Sequence, residues 1–85
     1  MRITEVNIKK VDKEYSRLRG IATIVFDDLL VVSEIRVIDG NRGLFIAMPA
    51  RRIPGEKFMN VVDATNKDFF KYIETTILDK FNKLD

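Results

Sequence analysis

Eighty-five residues with fifteen Lys and Arg against thirteen Asp and Glu give a formal charge of +2, and 46% of the chain is apolar. This suits one small globular domain, residues 1–85, whose core is near the lower limit for independent stability, so that oligomerisation is a reasonable source of further burial. The chain has no Cys and no His, which removes thiol nucleophiles, imidazole bases, disulfides and the common zinc sites.

Ile3–Val11 alternates, with Val6 and Ile8 on one side and Glu5, Asn7 and Lys9 on the other, the pattern of a strand with one wet face. Asp12-Lys13-Glu14 is a polar turn. From Arg17 to Phe26 the alternation resumes: Leu18, Ala22, Ile24 and Phe26 share one face, Arg17, Arg19, Ile21, Thr23 and Val25 the other. Gly20 lies mid-strand, where a missing side chain marks a bulge or a close neighbour. Asp27-Asp28 suits a short hairpin turn into Leu29–Ile38.

The stretch Val31–Pro49, VVSEIRVIDGNRGLFIAMP, is the centre of the chain. Two β-rich runs, Val31–Ile38 and Leu44–Met48, flank Asp39-Gly40-Asn41-Arg42-Gly43, a joint dense in residues that tolerate positive φ. It predicts a hairpin, ended by Pro49, which lacks a backbone donor. Ala50–Lys57 has Arg51, Arg52, Pro54 and Gly55 and no regular pattern, so it is expected as a loop. Phe58–Val62 is a candidate fifth strand. Thr65-Asn66-Lys67-Asp68 places a capping residue ahead of an acid, close to a capping box. Phe70, Ile73, Ile77, Phe81 and Leu84 then form one apolar stripe, predicting a helix over about 67–83 with Asp68 near its start and Lys80 and Lys83 near its end. The fold class is α+β: a four- to five-stranded antiparallel meander with one carboxy-terminal α-helix packed on it.

The candidate chemistry is in the cations. Arg51 and Arg52 follow a rigid strand end, where a guanidinium can grip a phosphate, and Lys57 comes soon after; a solvated charged loop is the plain alternative. Lys9, Lys10, Arg17 and Arg19 form a second cluster if the first two strands pair, although edge protection explains them equally well. Arg42 lies in the Gly-rich tip, which could present amides and a guanidinium to a phosphate but equally has the residues any hairpin tip needs. Lys67 and Lys71 begin the helix. The carboxylates select no catalytic pair, Asp27-Asp28 is foremost a turn rather than a metal site, and neither an enzyme activity, a metal nor a cofactor is expected. Phe69 and Phe70, with Tyr72, put aromatics on more than one side of the helix's first turns, part of which would pack on a partner subunit. Neither a signal-peptide core nor an apolar run near the length of a membrane span is present, and a cytoplasmic location is the expectation.

IRVIDGNRGLFIAMPARR, residues 35–52, closely resembles the core signature of the SpoVG family of septation regulators, and the similarity extends over most of the chain. The resemblance implies a small α+β protein that dimerises with itself through its sheet and carboxy-terminal helix. It also implies binding of DNA, and of RNA, in the control of septation, sporulation and gene expression. With it, Arg51, Arg52 and Lys57 lead as phosphate contacts, then Lys9, Lys10, Arg17 and Arg19, with Arg42, Lys67 and Lys71 behind. No membrane and no small-molecule substrate is implied. The alternative is a protein-interaction module of the division or sporulation machinery that does not touch nucleic acid. One segment departs from the family pattern. Where relatives carry a His-Pro-Ile-Asn type segment followed by small residues and an Arg, this chain reads Asp63-Ala64-Thr65-Asn66 and then Lys67-Asp68-Phe69-Phe70. Asn66 is kept, Phe70 replaces the Arg, and Lys67 or Lys71 would have to supply its charge.

Overall fold

A computed structural model describes residues 1–84. Four strands, β1 (Ile3–Lys10), β2 (Leu18–Phe26), β3 (Leu30–Gly40) and β4 (Gly43–Ala47), form an antiparallel sheet in the order β1-β2-β3-β4. A helix, α1 (Lys67–Asn82), packs on one face. The α+β meander with a carboxy-terminal helix is therefore what the chain builds. The fifth strand, however, does not join it. Ala50–Ile53 (β5) and Lys57–Asn60 (β6) pair only with each other, as a separate two-stranded hairpin.

The period-two pattern, reset by one extra residue between Val32 and Ile35 of β3, explains which face is covered. Along β2, Gly20, Ala22, Ile24 and Phe26 are buried, and along β3, Val32, Ile35 and Val37. Ile46 and Met48 add the next layer, and Ile73 and Ile77 of α1 close it. Burial of such β-branched and aliphatic side chains is the main favourable term in folding.

Leu18 does not keep the company that strict alternation assigns it. The register shifts between Leu18 and Gly20, with Arg19 as the extra residue. A bulge reverses the alternation, so Leu18 lies beside Ile21 and Arg36 on the face away from the helix. Gly20 itself is closely approached. A Cβ there would meet the Phe81 ring at 3.2 Å and Ile8 at 3.3 Å, so the sheet and the last turns of α1 come together over bare backbone. A second bulge in β3 opposes Ser33 and Glu34 to Thr23 and holds Glu34 at φ 62°.

The turns follow their residue types. Asp27 and Asp28 both have positive φ, 52° and 55°, the backbone of a type I′ hairpin turn. In the next hairpin the polar tip narrows to Asn41-Arg42, with Gly40 and Gly43 paired across it and the left-handed residue at Gly43, φ 113°. Ala50–Lys57 is a correction. Pro54 and Gly55, read as breakers of regular structure, instead make the turn that joins β5 to β6, with Gly55 at φ 90°. Proline sets the first corner and glycine supplies the second. The helix begins one residue later than the Thr65-led box: Asn66 is the N-cap, its Oδ1 accepting from the Phe69 amide at 2.9 Å. Lys83 forms the C-cap.

Two stability changes follow. Asp28→Gly relieves about 1 kcal/mol of left-handed strain. Glycine's greater unfolded entropy offsets part of this, so the denaturant midpoint should rise by the equivalent of roughly 0.5 kcal/mol. Asn66→Ala removes the cap and should lower stability by about 1 kcal/mol in the same titration.

Candidate nucleic-acid interface

The hairpin that follows the sheet carries the leading cations. Because β5 is a strand, Arg51 and Arg52 project to opposite faces of it. Arg51 is opposite Met59 and Arg52 opposite Phe58, while Lys57 pairs with Ile53. Lys57 thus shares the Arg51 face. This corrects the reading of Arg51-Arg52 as a loop pair: they lie on a strand and point to its two faces. Both arginines and Lys57 are exposed. Arg52 contacts the Glu56 carboxylate at 3.5 Å, with the two side chains 65% and 87% exposed. An ion pair that open to solvent holds the guanidinium weakly.

The second cluster divides between the two faces. Lys10 turns toward α1: its Nζ donates to the Leu84 carbonyl at 3.1 Å and sits 5.3 Å from the centre of the Phe81 ring. A cation there complements the negative end of the helix and the face of the aromatic ring. Lys9 lies opposite Ile21 on the uncovered face and is exposed. Arg17 and Arg19 reach the β3–β4 tip. Arg17 donates to Asn41 Oδ1 at 3.0 Å, and Arg19 approaches Asp39 at 3.7 Å and donates to the Ser16 carbonyl. Arg42 is exposed at that tip. The structure therefore brings Lys9, Arg17, Arg19 and Arg42 to one end of the sheet and assigns Lys10 a helix-docking role. Lys67 and Lys71 are exposed on the first turns of α1, on the other face of the sheet from the hairpin.

Two residues outside those candidates belong to this surface. Arg36 is half-buried on the uncovered face, and its Nη2 donates to the Met48 carbonyl at 3.2 Å. Among the described residues no carboxylate pairs with it. Phe58, 71% exposed, leans toward it from the hairpin, and the two line a pocket of about 240 Å³ with Leu18, Ile21, Glu34 and Ala50. Alternation around Val37 places Arg36 on the face away from the helix, but only the β5–β6 pairing brings Phe58 over it.

The helix aromatics are used within the chain. Phe69 packs on Phe26 with ring centres 5.6 Å apart, and the Tyr72 hydroxyl accepts from the Ile3 amide at 2.9 Å. Phe70, at the position of the family's Arg, packs against the core. Asn66 caps the helix, which gives a structural reason for that residue in the segment. No group of acidic residues suited to a metal ion occurs among the described residues, and no helix there is long and apolar enough to cross a membrane.

Comparison with known proteins agrees with the signature at residues 35–52. The SpoVG family model matches residues 1–83. A protein of Phytoplasma australiense named "Putative septation protein SpoVG" is 44% identical over 81 residues, covering 95% of this chain and 83% of that protein. Proteins with the same name from Acholeplasma laidlawii and Clostridium beijerinckii are each 40% identical, covering 98% of this chain and 87% and 90% of theirs. With a β-hairpin signature, a helix cap and a nearly full-length match in agreement, the chain belongs to the SpoVG family.

Proposed function

We propose that this protein is a non-catalytic, cytoplasmic regulator of septation, sporulation and gene expression that acts by binding DNA and RNA. The observation that carries the reading is the β5–β6 hairpin. From Ala50 to Asn60 it holds three cations, Arg51, Arg52 and Lys57, against one acid, Glu56, and all four side chains are exposed. Exposed guanidinium and ammonium groups on a short projecting hairpin suit phosphate contacts, which position a protein on nucleic acid without reading its sequence. Lys9, Arg17, Arg19 and Arg42 at one end of the sheet extend the same surface. Arg17 and Arg19 already bond to the tip, so they contribute less than the hairpin. Lys67 and Lys71, on the opposite face, can join only if nucleic acid wraps the sheet edge.

A second copy of the chain is the proposed protein partner, met through the sheet and the start of α1. Leu29 and Val31 beside the β2–β3 turn are 89% and 59% exposed, and Val61 after the hairpin is 61% exposed. Leu30, Val62 and Met1 border the Phe26–Phe69 contact at the same end. So much apolar surface on so small a chain favours burial between copies. A binding module without nucleic acid would use this same end, and salt dependence separates the two readings.

In a binding titration over a salt series, the Arg51→Ala/Arg52→Ala variant should show a slope of log K against log salt shallower by about two units, one for each lost phosphate contact. Wild-type binding that is absent, or indifferent to salt, rejects nucleic acid and leaves the interaction module. By light scattering, Leu29→Asp/Val31→Asp should convert a dimer to a monomer with an unchanged circular-dichroism spectrum. A monomeric wild type at its highest soluble concentration rejects the dimer.

A further inference from the structure

We infer that the pocket between Phe58 and Arg36 is a binding site for a single unpaired base of a nucleic acid strand, with the ring of Phe58 stacking on the base and Arg36 holding the adjoining phosphate. The inference rests on the nucleic-acid reading above and adds to it the form of the ligand.

Four observations on one pocket carry it. Phe58, opposite Arg52 across the hairpin, is a large aromatic side chain left 71% exposed. Arg36, half-buried beneath it, spends one hydrogen bond on the Met48 carbonyl and has no carboxylate partner among the described residues. A guanidinium partly removed from water without a counter-charge is a standing site for an anion. Glu34, on the same wall, is held at φ 62°, a conformation that disfavours side-chain-bearing residues and that collects at ligand sites. The pocket, about 240 Å³, falls below the roughly 300–1,000 Å³ of sites for drug-sized ligands and fits something the size of one flat ring.

The residues also select the kind of polyanion. An aromatic face beside an Arg is how single strands are gripped, because an unpaired base exposes its π-face and a paired one does not. A duplex offers only phosphates to this surface. Glu34 would repel a bare anion such as phosphate alone. Its carboxylate instead accepts from the exocyclic amine of a base, the pairing that glutamate makes with cytosine. Ring, guanidinium and carboxylate together match a nucleotide better than they match any of its parts.

The test uses the full chain, a fluorescent single-stranded oligodeoxycytidine and a duplex of the same length, with Phe58→Leu and Phe58→Tyr compared to wild type. Leucine keeps the apolar bulk and removes the π-face; tyrosine keeps both. The expected result is a loss of about tenfold or more in single-strand affinity for Phe58→Leu, near-wild-type affinity for Phe58→Tyr, and unchanged duplex affinity for both. Arg36→Gln should weaken the single strand and flatten its salt dependence by about one unit. If wild type binds the single strand and Phe58→Leu binds it equally well, the assignment is wrong while the broader reading stands. If wild type binds neither probe, both fail together. If Phe58→Leu instead lowers the dimer mass in light scattering and leaves oligonucleotide affinity intact, the ring belongs to an interface between copies and the assignment is again wrong.

Discussion

The whole arrangement depends on a narrow seam. Ile73 and Ile77 of α1, with 1% and 0% exposure, are the only helix residues fully enclosed among those described, and they meet a sheet whose buried side chains all lie on that one face. A single helix of sixteen residues can cover only one side of four strands. The other side must therefore be solvated, covered by something else, or used. Its content is mixed: Ile21 and Phe45 are part-exposed apolar residues, with Lys9, Glu34 and Arg36 among them. Such a face is too polar to be a second core and too apolar to be merely wet.

The β5–β6 hairpin is the chain's partial answer to that asymmetry. It leaves the β4 edge at Pro49 and is anchored there, with the Val61 amide donating to the Pro49 carbonyl at 2.8 Å. It then leans over the uncovered face, so that Phe58 and Ala50 line one pocket with Leu18 and Ile21. All four residues of β6 nevertheless remain exposed. A hairpin with that little burial draws its stability from its own turn and pairing, and it belongs to the weakly held part of the fold, from which binding elements are commonly drawn. The edge it leaves is guarded as well. Glu74 of α1 accepts from the outward Ile46 amide at 3.3 Å, occupying a donor that another strand would otherwise find.

Much of the sheet was legible from period-two alternation, since Ala22, Ile24 and Phe26 of β2 point where the pattern sends them, whereas in β3 only the bulge at Ser33-Glu34 brings Val32 to the face of Ile35 and Val37. The helix was legible from the spacing of Ile73 and Ile77 and from a capping box ahead of the stripe, read one residue early at Thr65 where Asn66 is the cap. Bulges are where reading by parity breaks down. One extra residue at Arg19 sends Leu18 to the other face, and nothing in the local composition marks it beyond Gly20. The hairpin was missed for a related reason. Two adjacent arginines hide the alternation of a four-residue strand, and Pro-Gly looks like the end of structure when it is the turn inside it. Among the cations, sequence proximity was a poor guide to spatial grouping. Lys9 and Lys10 are neighbours in the chain and lie on opposite faces of β1, one free on the surface and one docked on Phe81.

The same alternation governs how Arg51 and Arg52 can work. Two guanidinium groups on consecutive strand residues cannot close on one phosphate, because the pleat turns them away from each other. They can contact phosphates on either side of the hairpin, or one can face nucleic acid while the other faces the sheet. Phe58 shares the Arg52 face, and Phe58 lines the pocket with Ile21 and Arg36. Arg52 therefore lies on the hairpin face that Phe58 turns to the pocket, and Arg51, with Lys57, on the other. Were a strand threaded past the hairpin as proposed, Arg52 would meet the phosphates nearest the stacked base and Arg51 with Lys57 those beyond it. The pleat thus separates one run of basic residues between two faces of the hairpin, so that the proposed contacts would be of two kinds, one beside the base and one along the backbone.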